Sequence, residues 1–387
     1  MRKMVLITGI AALMLASCAK DDIPAKGDDF SQDPVSVLLN QYCAKREAGT
    51  RNILAGVDVR NIERHYYTIS GDGVSEISSD TRSAGDETTT FEIARADFEL
   101  DGRKGYAYIC THPKAEGVYL YTDNGVITDT VENKGLAGMI GAVPYAAGGI
   151  IDAGTQPRDS IYDLRPDINI TCGPLLRTQW GQGYPYNNCA PKCLCDYCDG
   201  RLRSPIGCVT TATAQTIAYC KRFSGTFYGN KDLDFDIMTS VKQPQLLKDS
   251  LTRVNMIKSV ASFFHEVALC CQIQFKHQSG TSLKAACRYL LDLGYTCTYS
   301  DDIDLRKLYQ NVSGRRIPQI VAGYKSSGGG HAWVIDGWQQ IDGKVEFHNN
   351  WGWGGSSDCW VDRSMIGDTK TGTQYTKDLE IIYVTAY

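Results

Sequence analysis

Residues 207–215, GCVTTATAQ, limit what this chain can fold into more than any other stretch. A cysteine follows a glycine at the head of a run of small, helix-compatible residues, which predicts a helix from Cys208 to about residue 223. A thiol at a helix N-terminus meets the positive end of the macrodipole and unsatisfied N–H groups, and both favour the thiolate. Far downstream, residues 329–338 read GGHAWVIDGW and residues 348–355 read HNNWGWGG. The first sets a histidine at the start of an apolar strand, and the second ends a strand on two amides.

The beginning of the chain has its own chemistry. Arg2 and Lys3 precede an apolar run over residues 5–15. That run is too short for a membrane-spanning helix, which needs about 20 residues, and has the form of a secretory signal. Leu15-Ala16-Ser17-Cys18 resembles a bacterial lipoprotein signal, in which the cysteine is lipidated and becomes the first mature residue. Lys20-Asp21-Asp22 resembles the acidic tag that sends some Bacteroidota lipoproteins to the cell surface. Residues 21–33 are polar and carry Pro and Gly, as a flexible tether does. No further apolar run is expected to cross a membrane.

The chain has 387 residues, enough for two or three domains, and a net charge of −4. It has no basic cluster, which argues against nucleic acid as a partner. Fifteen cysteines suit an exported protein that keeps disulfides. Cys189, Cys193, Cys195 and Cys198 fall close together. Disulfides are the expectation there, with a structural zinc ion as the alternative, because zinc ligands usually come as separated pairs. Cys270 and Cys271 are adjacent and should find different partners.

Residues 34–170 look like a separate module, with a helix over 35–45 and strands over 61–69, 91–100, 105–110 and 117–121. It holds no visible set of nucleophile, base and orienter. The second module should have helices over 208–223, 246–271 and 282–294, then strands over 317–324, 331–338, 344–348 and 379–385. Helices followed by antiparallel strands predict an α+β architecture.

Chemistry assigns the parts. Cys208 is the candidate nucleophile and His331 the base that takes its proton and returns it to a leaving amine. His348 is the nearest rival to His331, while His65, His112, His265 and His277 lack a comparable setting. Asn350 or Asn349 would orient the imidazole, and only one of the two can face it from a strand. Trp351 would shield that hydrogen bond. Gln182, in a Gly/Pro-rich loop, is a candidate oxyanion donor beside the Cys208 N–H; such a donor is typically worth ~3 kcal/mol.

Taken together, GQGYPYN at 181–187, GCVTTATAQ, GGHAWVIDGW and NWGWGG at 350–355 resemble the streptopain family of papain-like cysteine peptidases. Cysteine, histidine, asparagine is also the chain order of papain-like enzymes. The resemblance implies a papain-like α+β fold with Cys208, His331, Asn350 and Gln182 in the roles above. It favours Asn350 over Asn349, because the family asparagine directly precedes the tryptophan. It extends loosely to residues 105–125, which look like an inhibitory propeptide. The cysteine-rich insert at 189–198 is a departure from the family pattern.

The expected organisation is a lipoprotein signal at 1–17, lipidated Cys18 and tether at 18–33, propeptide at 34–172 and peptidase at 173–387, cut between residues 147 and 172. The expected function is a cysteine endopeptidase made as a zymogen, acting through a thioester, with no cofactor or metal. Its partners would be protein or peptide substrates, its own propeptide, and the membrane through Cys18. It would sit in the bacterial envelope, periplasmic or surface-exposed, with release after maturation left open. The alternatives are a transglutaminase-like acyltransferase and a non-catalytic binding lipoprotein on a peptidase fold.

Overall fold

The computed structural model describes residues 29–47, 56–78, 89–131, 133–154, 169–195, 200, 202–225, 233–324, 330–366 and 379–387. Cys18 and the signal region, Cys198, and the serine- and glycine-rich residues 325–329 before His331 lie outside that set.

In chain order the elements are α1 (Pro34–Glu47), β1 (Asp58–Ser70), β2 (Gly73–Ile77), β3 (Thr89–Leu100), β4 (Arg103–Cys110), β5 (Gly117–Thr122), α2 (Lys134–Ala153) and β6 (Ile170–Cys172). There follow α3 (Cys208–Cys220), α4 (Phe235–Met238), α5 (Ser250–Cys270), α6 (Leu283–Asp292), β7 (Thr296–Ser300) and α7 (Leu305–Tyr309). Strands β8 (Gln319–Tyr324), β9 (Gly330–Ile341), β10 (Lys344–Asn350), β11 (Cys359–Asp362) and β12 (Leu379–Ala386) complete the chain. Helices and antiparallel strands combine as the α+β expectation requires.

The sheet does not stop where the first module ends. Its order runs β2-β1-β3-β4-β5-β11-β10-β9-β8-β12-β7. Strand β5 pairs with β11 through Trp360 opposite Tyr121 and Val361 opposite Leu120. One apolar core likewise takes Tyr106, Leu120 and Met139 from the N-terminal region and Trp333, Phe347 and Trp351 from the C-terminal region. The first module does not stand apart in this structure: the two regions share a sheet and a core.

Helix α2 was not foreseen from the sequence. Asn133 caps it by accepting from the Leu136 N–H at 3.0 Å, and Gly154 ends it in a left-handed conformation. By length and composition this 20-residue helix is apolar enough to cross a membrane, which corrects the expectation that no such run exists. Its apolar side chains pack inward instead: Leu136, Met139, Val143, Ala147 and Ile151 are all buried. Residues 147–153, at the start of the expected cleavage range, are helical and partly buried, and residues 155–168 lie outside the described residues.

Helix α3 is central, with Val209 through Ala218 all buried. Four threonines in a buried helix are costly unless their hydroxyls find acceptors. Thr211, Thr213 and Thr216 donate back to the carbonyls of Gly207, Val209 and Ala212 at 3.0, 2.7 and 3.0 Å. Helix α5 starts at Ser250, later than its apolar pattern suggested, because Asp249 caps it by accepting from Thr252 N–H at 2.6 Å.

Candidate active site

Cys208 opens α3, preceded by Gly207 at φ 84°. A side chain at 207 would lie 2.8 Å from Ile273 Cδ1 and 3.2 Å from the Ser279 carbonyl, so both conformation and space call for glycine. The Cys208 side chain is half-buried. Burial pushes its thiol up, while the N–H groups of Ala332, Val209 and Cys208 itself act in the opposite sense. The influence of the Ala332 N–H places the sulfur near the residue after His331, and β9 packs on α3, so β9 brings the histidine to the start of α3.

The imidazole itself is turned elsewhere. His331 Nε2 lies 2.8 Å from the carbonyl oxygen of Trp351. A carbonyl only accepts, so Nε2 carries the proton and Nδ1 is left bare. Burial pushes the imidazole down to about 4, so it is neutral at physiological pH. Trp333, Trp351 and Trp353 surround the ring at centroid distances of 6.3, 6.1 and 6.1 Å. Among the described residues, no hydrogen bond joins His331 to Cys208 or to either asparagine.

Helix α2 lies directly over this arrangement. A Cβ on Gly135 would come within 2.7 Å of His331 Cδ2 and 2.7 Å of a Trp351 ring carbon. Only a glycine lets the first turn of α2 sit this close. The preceding residues clasp the loop after Trp351. Asp129 accepts from the hydroxyls of Ser356 and Ser357 at 2.6 and 2.7 Å. Asn124 donates to the Gly355 carbonyl at 2.7 Å and accepts from the Ser357 N–H at 2.7 Å.

The asparagines are both engaged away from His331. Asn350 Oδ1 accepts from Gln215 Nε2 at 3.0 Å and from the Gly352 N–H at 3.1 Å, and its amide donates to the Thr178 carbonyl at 3.0 Å. Asn349 Oδ1 accepts from the Trp333 indole at 2.7 Å. Trp351 is fully buried, and its N–H donates to Asp358 Oδ1 at 2.9 Å. The main-chain carbonyl of Gln182 accepts from the N–H of Ile206, two residues before Cys208, at 2.9 Å. Cys208, His331 and the Gln182 backbone thus share one neighbourhood, while Asn350 sits in a network beside it.

His348 is committed to a different task. Its Nδ1 lies 2.6 Å from Asp336 Oδ1, and Asp336 Oδ2 accepts from the Leu176 N–H at 2.9 Å. A cavity of about 670 Å³ borders His348; Arg46, Arg177, Lys242, Asn350 and Asp358 help line it, and Cys208 and His331 do not.

Two participants escaped sequence reasoning. Gln215 bonds Thr178, the Trp180 N–H and Asn350, and its signal was a long polar side chain in a helix of small residues. Helix α2 announced itself by an apolar run between an Asn and a Gly. Adjacent Cys270 and Cys271 differ in setting, the first half-buried and the second fully buried.

Residues 180–361 match the family model described as Peptidase C10 family. Over 280 residues the chain is 24% identical to a thiol protease/hemagglutinin, PrtT, of Porphyromonas gingivalis, covering 60% of this chain and 30% of that protein. The chain therefore spans under a third of the curated relative it matches. A solved structure of a prointerpain A fragment from Prevotella intermedia superposes with a TM-score of 0.56 at 20% identity, over 74% of this chain and 94% of that one, and shares the fold. Active wild-type interpain A from the same organism gives a TM-score of 0.43 at 26% identity, over 55% and 94% of the two chains.

Proposed function

We propose that this chain, whose residues 180–361 are a domain of the peptidase C10 family, is a cysteine endopeptidase made as a zymogen. One observation carries this: the Cys208 sulfur sits at the head of α3 against the Ala332 N–H, while the neighbouring imidazole is held on the Trp351 carbonyl beneath α2. The pieces of a thiol–imidazole pair are adjacent and uncoupled.

In this reading residues 34–172 are the propeptide. Its removal takes α2 off His331, and the ring swings toward Cys208 with Nδ1 bare to receive the thiol proton. Asn350 then accepts from Nε2–H, giving up Gln215 or Gly352, and Trp351 shields that bond. The thiolate attacks the scissile carbonyl. The Cys208 N–H and the Gln182 amide bind the oxyanion. The imidazolium returns its proton to the leaving amine, and water hydrolyses the thioester. Substrates are proteins or peptides. No step needs a metal or cofactor.

The anchor is a further part of the proposal: Cys18 carries lipid and holds the enzyme in the bacterial envelope, periplasmic or at the outer surface. The sequence around Cys18 supports this, as does the polar tether behind it.

The direct test is Cys208→Ala. The purified precursor of this variant should neither shorten itself nor digest casein, whereas the unsubstituted chain should do both. Unaided maturation and casein hydrolysis by the alanine variant would refute the mechanism.

A further inference from the structure

Two loops meet beside the start of α3. The first is the cysteine-rich insert. It folds back on itself through an antiparallel bridge between Lys192 and Arg203, with the Cys193 N–H donating to Leu202 at 2.9 Å and the Ser204 N–H to Pro191 at 3.0 Å. The second follows α5 and closes through the Gln274 N–H to the Gly280 carbonyl at 3.0 Å, which leaves His277 exposed at its tip. Where the loops touch, the sulfurs of Cys193 and Cys195 are 3.3 Å apart. One nitrogen of the His277 ring lies within 4.8 Å of both.

We propose that Cys193, Cys195 and His277 bind a zinc ion that ties these two loops together. Two thiolates and an imidazole are a zinc donor set. A disulfide would use the two sulfurs alone, whereas an ion draws in the imidazole that a distant part of the chain brings to them. The other close thiol pair makes the contrast. Cys287 and Cys297 lie 3.6 Å apart, yet no third ligand is gathered at that pair among the described residues.

Zinc–sulfur bonds of ~2.3 Å at the tetrahedral angle put sulfurs ~3.8 Å apart. The ion therefore asks the pair to open by only about half an ångström. Cys193 is buried, Cys195 half-buried and His277 exposed, so the ion enters from solvent and rests against packed chain. Binding releases two protons, one from each thiol, while the imidazole binds neutral. The resulting Zn²⁺ with two thiolates carries no net charge, and water takes the fourth position.

The location gives the ion a structural role. Ser279 and Ile273 of the second loop press on Gly207, immediately before the nucleophile. The first loop runs into Ile206, whose N–H holds the Gln182 carbonyl. Linking the loops pins both sides of the turn that presents Cys208.

The test uses the full chain carrying Cys208→Ala, so that the candidate nucleophile supplies no sulfur. The chain is reduced, stripped with chelator, kept anaerobic and titrated with Co²⁺, then with Zn²⁺. One equivalent of Co²⁺ should bind with a thiolate-to-metal band in the near ultraviolet, and Zn²⁺ should displace it. Adding His277→Ala, an exposed change that leaves the circular dichroism unaltered, should weaken Co²⁺ binding at least tenfold, and Cys193→Ser should reduce the charge-transfer band. Co²⁺ binding of unchanged affinity and spectrum in the His277→Ala chain would overturn the site, as would a Cys193–Cys195 disulfide in peptides from freshly purified protein. The readout is metal, not proteolysis, so the site stands or falls apart from the proposed function.

Discussion

At the scale of single residues, His331 is held in the wrong direction for proton transfer but in the right tautomer. Its proton sits on Nε2, against a carbonyl one residue past Asn350. In the proposed mechanism, activation then needs a side-chain rotation, not a change of protonation. If Asn350 takes Nε2–H from the carbonyl, Asn350→Ala should lower kcat of the processed enzyme tenfold or more and leave KM nearly unchanged. Steady-state kinetics on a peptide substrate would decide; an unchanged kcat would assign the orienting role to the Trp351 carbonyl. Gln215→Ala tests the supporting network. It strips partners from Thr178, Trp180 and Asn350, and each buried group left unpaired costs about 1–3 kcal/mol. Urea denaturation should show the loss.

Among the elements, α2 and the segment before it do the holding. The contact at Gly135 has no room for a methyl group, and Asp129 receives two hydroxyls of the loop after Trp351. Hydrogen bonds to a charged acceptor contribute about 1.5–3 kcal/mol, and about 1.4 kcal/mol is a tenfold change in equilibrium. Asp129→Ala should therefore release the loop and speed autoprocessing of the precursor severalfold, followed by gel densitometry over time. Gly135→Leu should act in the same direction by prising α2 from the imidazole. If neither variant matures faster than the parent, α2 is not the restraint.

For the whole molecule, the shared sheet and core make docking of the N-terminal region part of folding stability, and that region buries acids. The Tyr42 hydroxyl of α1 donates to Glu346 at 2.7 Å, and Gln339 donates to the same oxygen at 2.5 Å. Burial pushes the Glu346 carboxyl up to about 7. A carboxyl whose folded pKa lies above its unfolded value binds more protons when folded, so its contribution falls as pH rises between the ordinary glutamate range and about 7. His331, pushed down to about 4, opposes this: its contribution is lost as pH falls from the ordinary histidine range toward 4. Glu346→Gln isolates the first effect. Between pH 5 and 7.5 the Cys208→Ala precursor should lose on the order of 2–3 kcal/mol from Glu346, and the glutamine variant should lack that loss in urea titrations at the two pH values. At the same scale, Cys18→Ala should abolish incorporation of labelled fatty acid and move the protein from the membrane fraction to the soluble one; labelled alanine variant would exclude Cys18 as the anchor.

The sequence by itself determined the local elements and the ingredients of the chemistry. A glycine before a cysteine and a run of small residues set the start of α3, and a continuous apolar run after His331 set β9. Both signals come from neighbours in the chain, which is why they were legible. What only the tertiary structure decided is which groups meet. Asn350 faces Gln215 instead of His331, because β10 and α3 converge there from distant parts of the chain. The first module joins the sheet of the second because an edge strand, β5, finds β11 as its partner. His277, unremarkable in sequence, meets two thiols because one loop folds onto another. Hydrogen-bond partners and close packing are long-range choices, and no local pattern encodes them.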